Sequence, residues 1–147
     1  MRLLFLCTGN SARSQMAEAI LNHMGRGRFR AESAGSQPAA RVNPLAIETL
    51  NEHGIPWNGH PPRSVDGLEP EPWDFVITVC DRAKETCPVF PGQPLLAHWG
   101  MPDPTDASAF RDAFLLLSRR IDLLLALPVE KLERAALAAR VRAIPIG

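Results

Sequence analysis

Leu3-Leu4-Phe5-Leu6 is an apolar run without a polar break, and it leads directly into Cys7. A strand on a half-exposed sheet alternates polar and apolar residues. An unbroken run of this kind belongs instead to a strand buried on both faces, as strands of parallel sheets are. A second run, Phe75-Val76-Ile77-Thr78-Val79, is similar and leads directly into Cys80. The segments between and after them read as helices and further strands. SQMAEAILNHMG places Met16, Ala19, Ile20 and Met24 on one helical face and closes on Gly25, a residue suited to follow a helix. RFRAESAG reads as the second strand. In NPLAIETLNEHG, Asn43 can cap, Pro44 suits the first helical position and Gly54 stops the helix. From Gly59 to Pro72 the chain is rich in proline, glycine and charge, hence a surface loop. Pro94 to Trp99 reads as the last strand. Phe110, Phe114, Leu117, Ile121 and Leu124 recur at helical spacing, and Pro128 ends that helix before a shorter one over Glu130 to Val141.

Strands alternating with helices predict an α/β fold: a single domain over residues 1–147, with an open, mostly parallel sheet of about four strands and helices on both faces. At 147 residues and 46% hydrophobic content, the chain can build one core. In such sheets ligands bind outside the carboxyl ends of the strands. Cys7, Cys80 and the loop around Asp103 should therefore share one edge.

Charge and cysteine count narrow the function. Sixteen basic residues balance sixteen acidic ones, which lacks the footprint of a nucleic-acid or membrane-surface binder. No apolar stretch approaches a signal core or a membrane span, so a cytosolic protein is expected. In that compartment three cysteines suit catalytic or redox thiols better than a disulfide framework.

The segment CTGNSARS supplies the chemistry. Thr8, Gly9, Asn10, Ser11 and Ala12 form a loop of small residues between a strand and a helix N-terminus. Such a loop can turn successive backbone N–H groups into one concavity, which is an anion site. The helix dipole and Arg13 add positive potential, which favours the thiolate form of Cys7, the form that acts as a nucleophile. Arg13 has a planar fork matching two oxygens of a tetrahedral oxyanion. Ser14 can donate a hydrogen bond to the thiolate. The plainer reading is an inert buried Cys7 and a surface Arg13. Cysteine and arginine at this spacing are weak evidence alone; the buried strand before them and the helix after them make the pattern specific.

Six residues separate Cys80 from Cys87. Zinc sites pair cysteines across two to four residues and need four ligands, so a metal reading is disfavoured even with His98 nearby. Two thiols after a strand, joined by a polar segment, suit reversible pairing, against the plainer reading of Cys80 as a small core residue. In HWGMPDPTD, Asp103 lies between two prolines in a stiff loop, where a carboxyl can protonate a leaving oxygen; Asp106 competes for that role. An aspartate in a proline loop is otherwise a turn residue. His23 and His53 fall late in helices, where they suit the dipole, and His60 lies in the proline-rich loop.

Taken together, CTGNSARSQMAEA, SAG at Ser33, NP at Asn43, VITVCDRAKETCPVFPG and HWGMPDP resemble the thioredoxin-coupled arsenate reductases, which share the fold of the low-molecular-weight tyrosine phosphatases. The similarity extends to about Leu127. The resemblance implies Cys7 as nucleophile, Arg13 and the amides of residues 8–14 as oxyanion binders, Asp103 as general acid, and Cys80 and Cys87 as shuttle cysteines. It further implies arsenate as substrate, with phosphate or sulfate as analogues, thioredoxin as reductant, a monomer, and no organic cofactor. A tyrosine or small-phosphoester phosphatase is the alternative, and a phosphate-binding module without turnover the third reading. There is no tyrosine in the chain, so the aromatic residue that often follows the aspartate-proline pair in phosphatases is missing. The stretch between Asp103 and Phe110 is also shorter than in many relatives. Some relatives bind potassium through residues matching Asn10, Glu18 and Ser33. In the last ligand position Arg63 stands here, with Asp66 close by, so little potassium activation is expected.

Overall fold

The computed structural model describes residues 1–57, 59–68, 73–81 and 95–145. The four strands among these residues are β1 (Arg2–Cys7), β2 (Arg30–Gly35), β3 (Phe75–Thr78) and β4 (Leu95–His98). They form one sheet in the order β2-β1-β3-β4, and every pairing is parallel. As the apolar run dictates, β1 is central and Leu3, Leu4, Phe5 and Leu6 are all fully buried. Leu3, Phe5, Phe75 and Ile77 point to the face on which the helices build the main core. Leu4, Leu6, Ala34 and Val76 point to the opposite face, where Trp73, Val65 of a 3-10 turn (Val65–Gly67) and Leu68 cover them.

Among the described residues the helices are α1 (Arg13–Met24), α2 (Pro44–Glu52), α3 (Ala107–Leu125) and α4 (Arg134–Ala143). The Asn43 side chain accepts from the Leu45 amide, Pro44 opens α2, and Gly54 sits beyond its end at φ +73°. Asp106 turns out to cap α3, accepting from the Ala109 amide at 2.8 Å, so its carboxylate is committed to the helix. At the other end of α3, the Arg28 guanidinium donates to the carbonyls of Leu125 and Leu127 at 2.7 and 3.1 Å, meeting acceptors that a helix end leaves open.

Some boundaries differ from expectation. The buried stripe of α1 is Met16, Ala17, Ile20 and Leu21, with Met24 38% exposed, because Arg13, Ser14, Gln15 and Glu18 are buried on the same helix and blur its apolar periodicity. Helix α4 begins at Arg134 rather than Glu130, since Lys131 and Leu132 first turn back onto the Pro128 carbonyl. Hydrogen bonding carries the sheet one residue past β3 and β4: the Val79 amide reaches the Leu6 carbonyl at 2.8 Å, and the Trp99 amide reaches Thr78 at 2.7 Å. Pro94 lies outside the described residues.

At Gly35, paired with Cys7 at the end of β2, two backbones come close together. A Cβ there would lie 2.4 Å from the Thr8 carbonyl oxygen, 3.0 Å from the Asn10 nitrogen and 3.1 Å from the Cys7 oxygen. None of these is a side chain that can swing away. Gly35→Ala is therefore expected to push the 7–10 loop outward and to cost about 1–3 kcal/mol in a chemical-denaturation measurement. A variant as stable as the parent would show that the loop has room to spare.

Candidate active site

The loop from Cys7 to Arg13 leaves the carboxyl end of β1, and its outer side is tied down carbonyl by carbonyl. The oxygens of Cys7, Thr8, Gly9 and Ser11 accept from the amides of Ser36, Gln37, Ala39 and Asn43 at 3.3, 2.9, 2.9 and 2.8 Å. In a trans peptide the N–H points away from the carbonyl, so fixing the oxygens outward turns the amide edges inward. One inward amide, that of Asn10, lies 3.2 Å from the Cys7 sulfur. Arg13 is the first residue of α1, and Ala12 before it offers no side-chain cap, which leaves the helix N-terminus to a ligand. Cys7, Thr8, Gly9, Ser11, Ala12, Arg13 and Asp103 line a cleft of about 200 Å³.

Asn10 organises the sulfur's surroundings. It sits at φ +50°, the left-handed region that asparagine tolerates better than most residues. Its Nδ2 donates to Ser14 Oγ at 2.8 Å and to Ser33 Oγ at 2.9 Å. Because Ser14 Oγ already accepts from Asn10, its own proton is free to point at Cys7 Sγ, 2.8 Å away. The sulfur thus lies within hydrogen-bond reach of both the Asn10 amide and the Ser14 hydroxyl. Cys7 is a free thiol and is 2% exposed.

Arg13 enters the cleft with its side chain only 4% exposed. Nη1 donates to the Met101 carbonyl at 3.1 Å, and Nη2 lies 3.6 Å from Asp103 Oδ1. The Asp103 carboxyl is 63% exposed, at the mouth of the cleft. Cys80 is fully buried and follows β3, the neighbour of β1, so both cysteines stand at one sheet edge and in one cluster. Cys80 is disulfide-bonded. Cys87 lies outside the described residues.

Behind Asn10 the residues that would match a potassium site are occupied by protein donors. Asn10 Oδ1 accepts from the Arg63 amide at 3.1 Å and from Gln15 Nε2 at 3.5 Å. Glu18 Oε1 accepts from Ser33 Oγ and pairs with His60 Nε2, both at 3.0 Å. The Ser33 carbonyl takes Arg63 Nε at 2.9 Å. Asp66 is exposed, in the first turn of the 3-10 segment. The bond to Glu18 holds the His60 imidazole above its ordinary pKa against the opposing effect of burial. For Glu32, burial raises the carboxyl, but hydrogen bonds from Arg63 and Arg2 outweigh it and hold the group below the usual carboxylate range. With a guanidinium on one ligand carbonyl, these residues do not fit a potassium ion. Exchanging sodium for potassium at fixed ionic strength should leave both melting temperature and turnover unchanged. A several-fold gain in turnover would contradict this.

Sequence reasoning brought Cys7, the loop, Arg13 and Asp103 to one place and gave Asn10 two parts, as a loop residue and as a match to a potassium-ligand position, but not its bond to Ser14. The contributions of Gln15, His60 and the Met101 carbonyl were not foreseen. The signal available for Asn10 was an asparagine after glycine, suited to a positive φ; a backbone carbonyl such as that of Met101 leaves no signal in residue type. Among the other expected residues, His53 stacks on Phe114 with ring centres 3.9 Å apart, and His98 Nδ1 pairs with Thr78 Oγ1 at 2.6 Å.

Comparison with known proteins places this geometry. The family described as low molecular weight phosphotyrosine protein phosphatase matches residues 2–140. An arsenate reductase from Shouchella clausii is 34% identical over 119 residues, which span 81% of this chain and 85% of that protein. Among solved structures, the arsenate reductase from Archaeoglobus fulgidus aligns with a TM-score of 0.75 at 32% identity, covering 85% of this chain and 99% of that one. A thioredoxin-dependent arsenate reductase from Corynebacterium glutamicum aligns with a TM-score of 0.67 at 29% identity, covering 84% of this chain and 59% of that one.

Proposed function

The chain belongs to the low molecular weight phosphotyrosine protein phosphatase family, and within it we propose that the protein is a cytoplasmic arsenate reductase working through a three-cysteine relay. The observation that carries this reading is that a free Cys7 thiol, lining a cleft of about 200 Å³ with Arg13 and Asp103, shares one sheet edge with a disulfide-forming Cys80. A phosphatase needs the first thiol and has no use for the second. The similarity to arsenate reductases supports the same substrate.

In the proposed mechanism, arsenate enters the cleft with its oxygens on the inward amides and the Arg13 fork. The Cys7 thiolate attacks arsenic while Asp103 gives a proton to the departing oxygen, which leaves as water. A thiol–arsenate adduct forms. Cys80, as a thiolate, then attacks the Cys7 sulfur; the sulfur–arsenic bond breaks, its electron pair stays on arsenic, and arsenite leaves. Cys87 next attacks Cys80, which frees Cys7 and closes a Cys80–Cys87 disulfide. Thioredoxin reduces that bond for the next cycle, a role supported by the thioredoxin-dependent relative. No organic cofactor takes part, and the protein acts as a monomer.

Arg13→Lys should lower kcat/KM for arsenate by about 10²–10³-fold, because an ammonium cannot reproduce the two-pronged contact. A lysine variant near wild-type turnover would remove Arg13 from the oxyanion site. The function itself is tested by arsenate-dependent NADPH oxidation in the presence of thioredoxin and thioredoxin reductase. Consumption that needs all three components is the expected result. Aryl phosphate hydrolysis without any arsenate-dependent oxidation would favour the phosphatase instead.

A further inference from the structure

Just past β4, three consecutive backbone carbonyls take guanidinium donors. Arg120 Nη1, from α3, lies 3.0 Å from the Trp99 oxygen and 3.2 Å from that of Gly100, and Arg13 Nη1 lies 3.1 Å from that of Met101. Beyond the end of a strand such carbonyls have no ladder partner, and Trp99 is fully buried, so its oxygen cannot turn to water. The same residue is fixed from a third side, where its indole Nε1 donates to the Val141 carbonyl of α4 at 3.1 Å. Burial pushes the Arg120 guanidinium below its ordinary pKa.

Asp103 lies two residues beyond Met101. Its ion pair with Arg13, at 3.6 Å, is longer than the 2.7–2.9 Å typical of a charge-assisted hydrogen bond, and its side chain is 63% exposed. So weak a contact cannot by itself define where the carboxyl sits. Pro102 and Pro104 flank it, and each fixes its own φ, so the short arm from Met101 to Asp103 is stiff and follows the orientation of its root.

We propose that Arg120 is a positioning residue for the general acid: by clamping the carbonyls of Trp99 and Gly100 it fixes the root of the proline-stiffened arm and so holds Asp103 over Cys7. The inference rests on the reading of Asp103 as the acid. It assigns a role to a side chain on α3 that the loop motif does not include.

A double-mutant cycle on kcat/KM for arsenate tests it. Arg120→Met keeps most of the side chain's length and removes its donors, and should lower kcat/KM by about 10²-fold, the scale set by misplacing a catalytic group by an ångström. In an Asp103→Asn background the same change should cost no more than about threefold, because there is no acid left to misplace. Arg120→Lys, which keeps a donor near the carbonyls, should recover most of the loss. Arg120→Gln carries the comparison at a smaller loss without stripping the site of every donor. In each variant, iodoacetamide should alkylate Cys7 within about twofold of the wild-type rate, which reports an intact loop.

An Arg120→Met variant with wild-type kcat/KM, or one whose loss is as large in the Asp103→Asn background as alone, would overturn the proposal. If Asp103→Asn itself cost nothing, the reading of the acid would fall, whatever Arg120 does. If the wild-type protein hydrolyses phenyl phosphate but does not reduce arsenate, the substrate reading fails and the same cycle is read on the phosphate ester, whose first step needs the same acid. A protein with neither activity would overturn both.

Discussion

Cys7→Ser is expected to abolish arsenate reduction and any aryl phosphate hydrolysis together, each by more than about 10³-fold, because both begin with the same nucleophile. The expectation follows from what the loop is built around. The Asn10 amide and the Ser14 hydroxyl both address the Cys7 sulfur, at 3.2 and 2.8 Å. A serine hydroxyl is far harder to ionise than a thiol, so the same donors would face a neutral oxygen. Yet serine is close to cysteine in shape and Arg13 is untouched, so the variant should fold and still bind phosphate or sulfate, as calorimetry would report. Loss of turnover with retained anion binding separates the nucleophile's chemistry from the integrity of the cleft. A serine variant that kept either activity would show that another group attacks.

The second large effect lies in the relay. Cys80→Ser and Cys87→Ser should each stop multiple-turnover arsenate reduction, while aryl phosphate hydrolysis stays within about threefold of wild type, because water resolves a phosphocysteine without a second thiol. They should stop at different points. Without Cys80 the thiol–arsenate adduct has nothing to attack its sulfur, so no arsenite is released. Without Cys87 the first exchange goes through, one arsenite leaves, and the protein halts as a Cys7–Cys80 disulfide. Quantifying arsenite per protein in a single-turnover experiment distinguishes zero from one. Cys80 stands at the same sheet edge as Cys7, one strand over, which makes the first exchange geometrically reasonable.

The parts of this picture legible in the sequence were those encoded locally. An unbroken apolar run specified the central strand β1, small residues before a helix specified the anion loop, and the shared position of Cys7 and Cys80 after two such runs put both on one edge of a parallel sheet. Asn43 and Pro44 announced α2 through their own chemistry. What escaped was non-local. The resemblance alone grouped Asn10, Ser33 and Arg63; residue spacing shows neither the Arg63 amide on Asn10, across 53 residues, nor the Met101 carbonyl on Arg13, across 88. No spacing rule predicts which carbonyl a guanidinium will find. The misplaced face of α1 has the same origin, since four of its buried positions, Arg13, Ser14, Gln15 and Glu18, are polar and serve the site rather than the apolar core. The sequence favoured Asp103 as the acid with Asp106 as its competitor; the cap on the Ala109 amide gives Asp106 a different task in the structure.

The central claim, that Cys80 and not water resolves the adduct on Cys7, is tested most directly by peptide mass spectrometry of Cys87→Ser after exposure to arsenate, with alkylation to block exchange. The account predicts a Cys7–Cys80 disulfide that forms only when arsenate is present and in step with the release of one arsenite per protein. Absence of that bond, or a Cys87→Ser protein that turns over arsenate with thioredoxin at the wild-type rate, would contradict it.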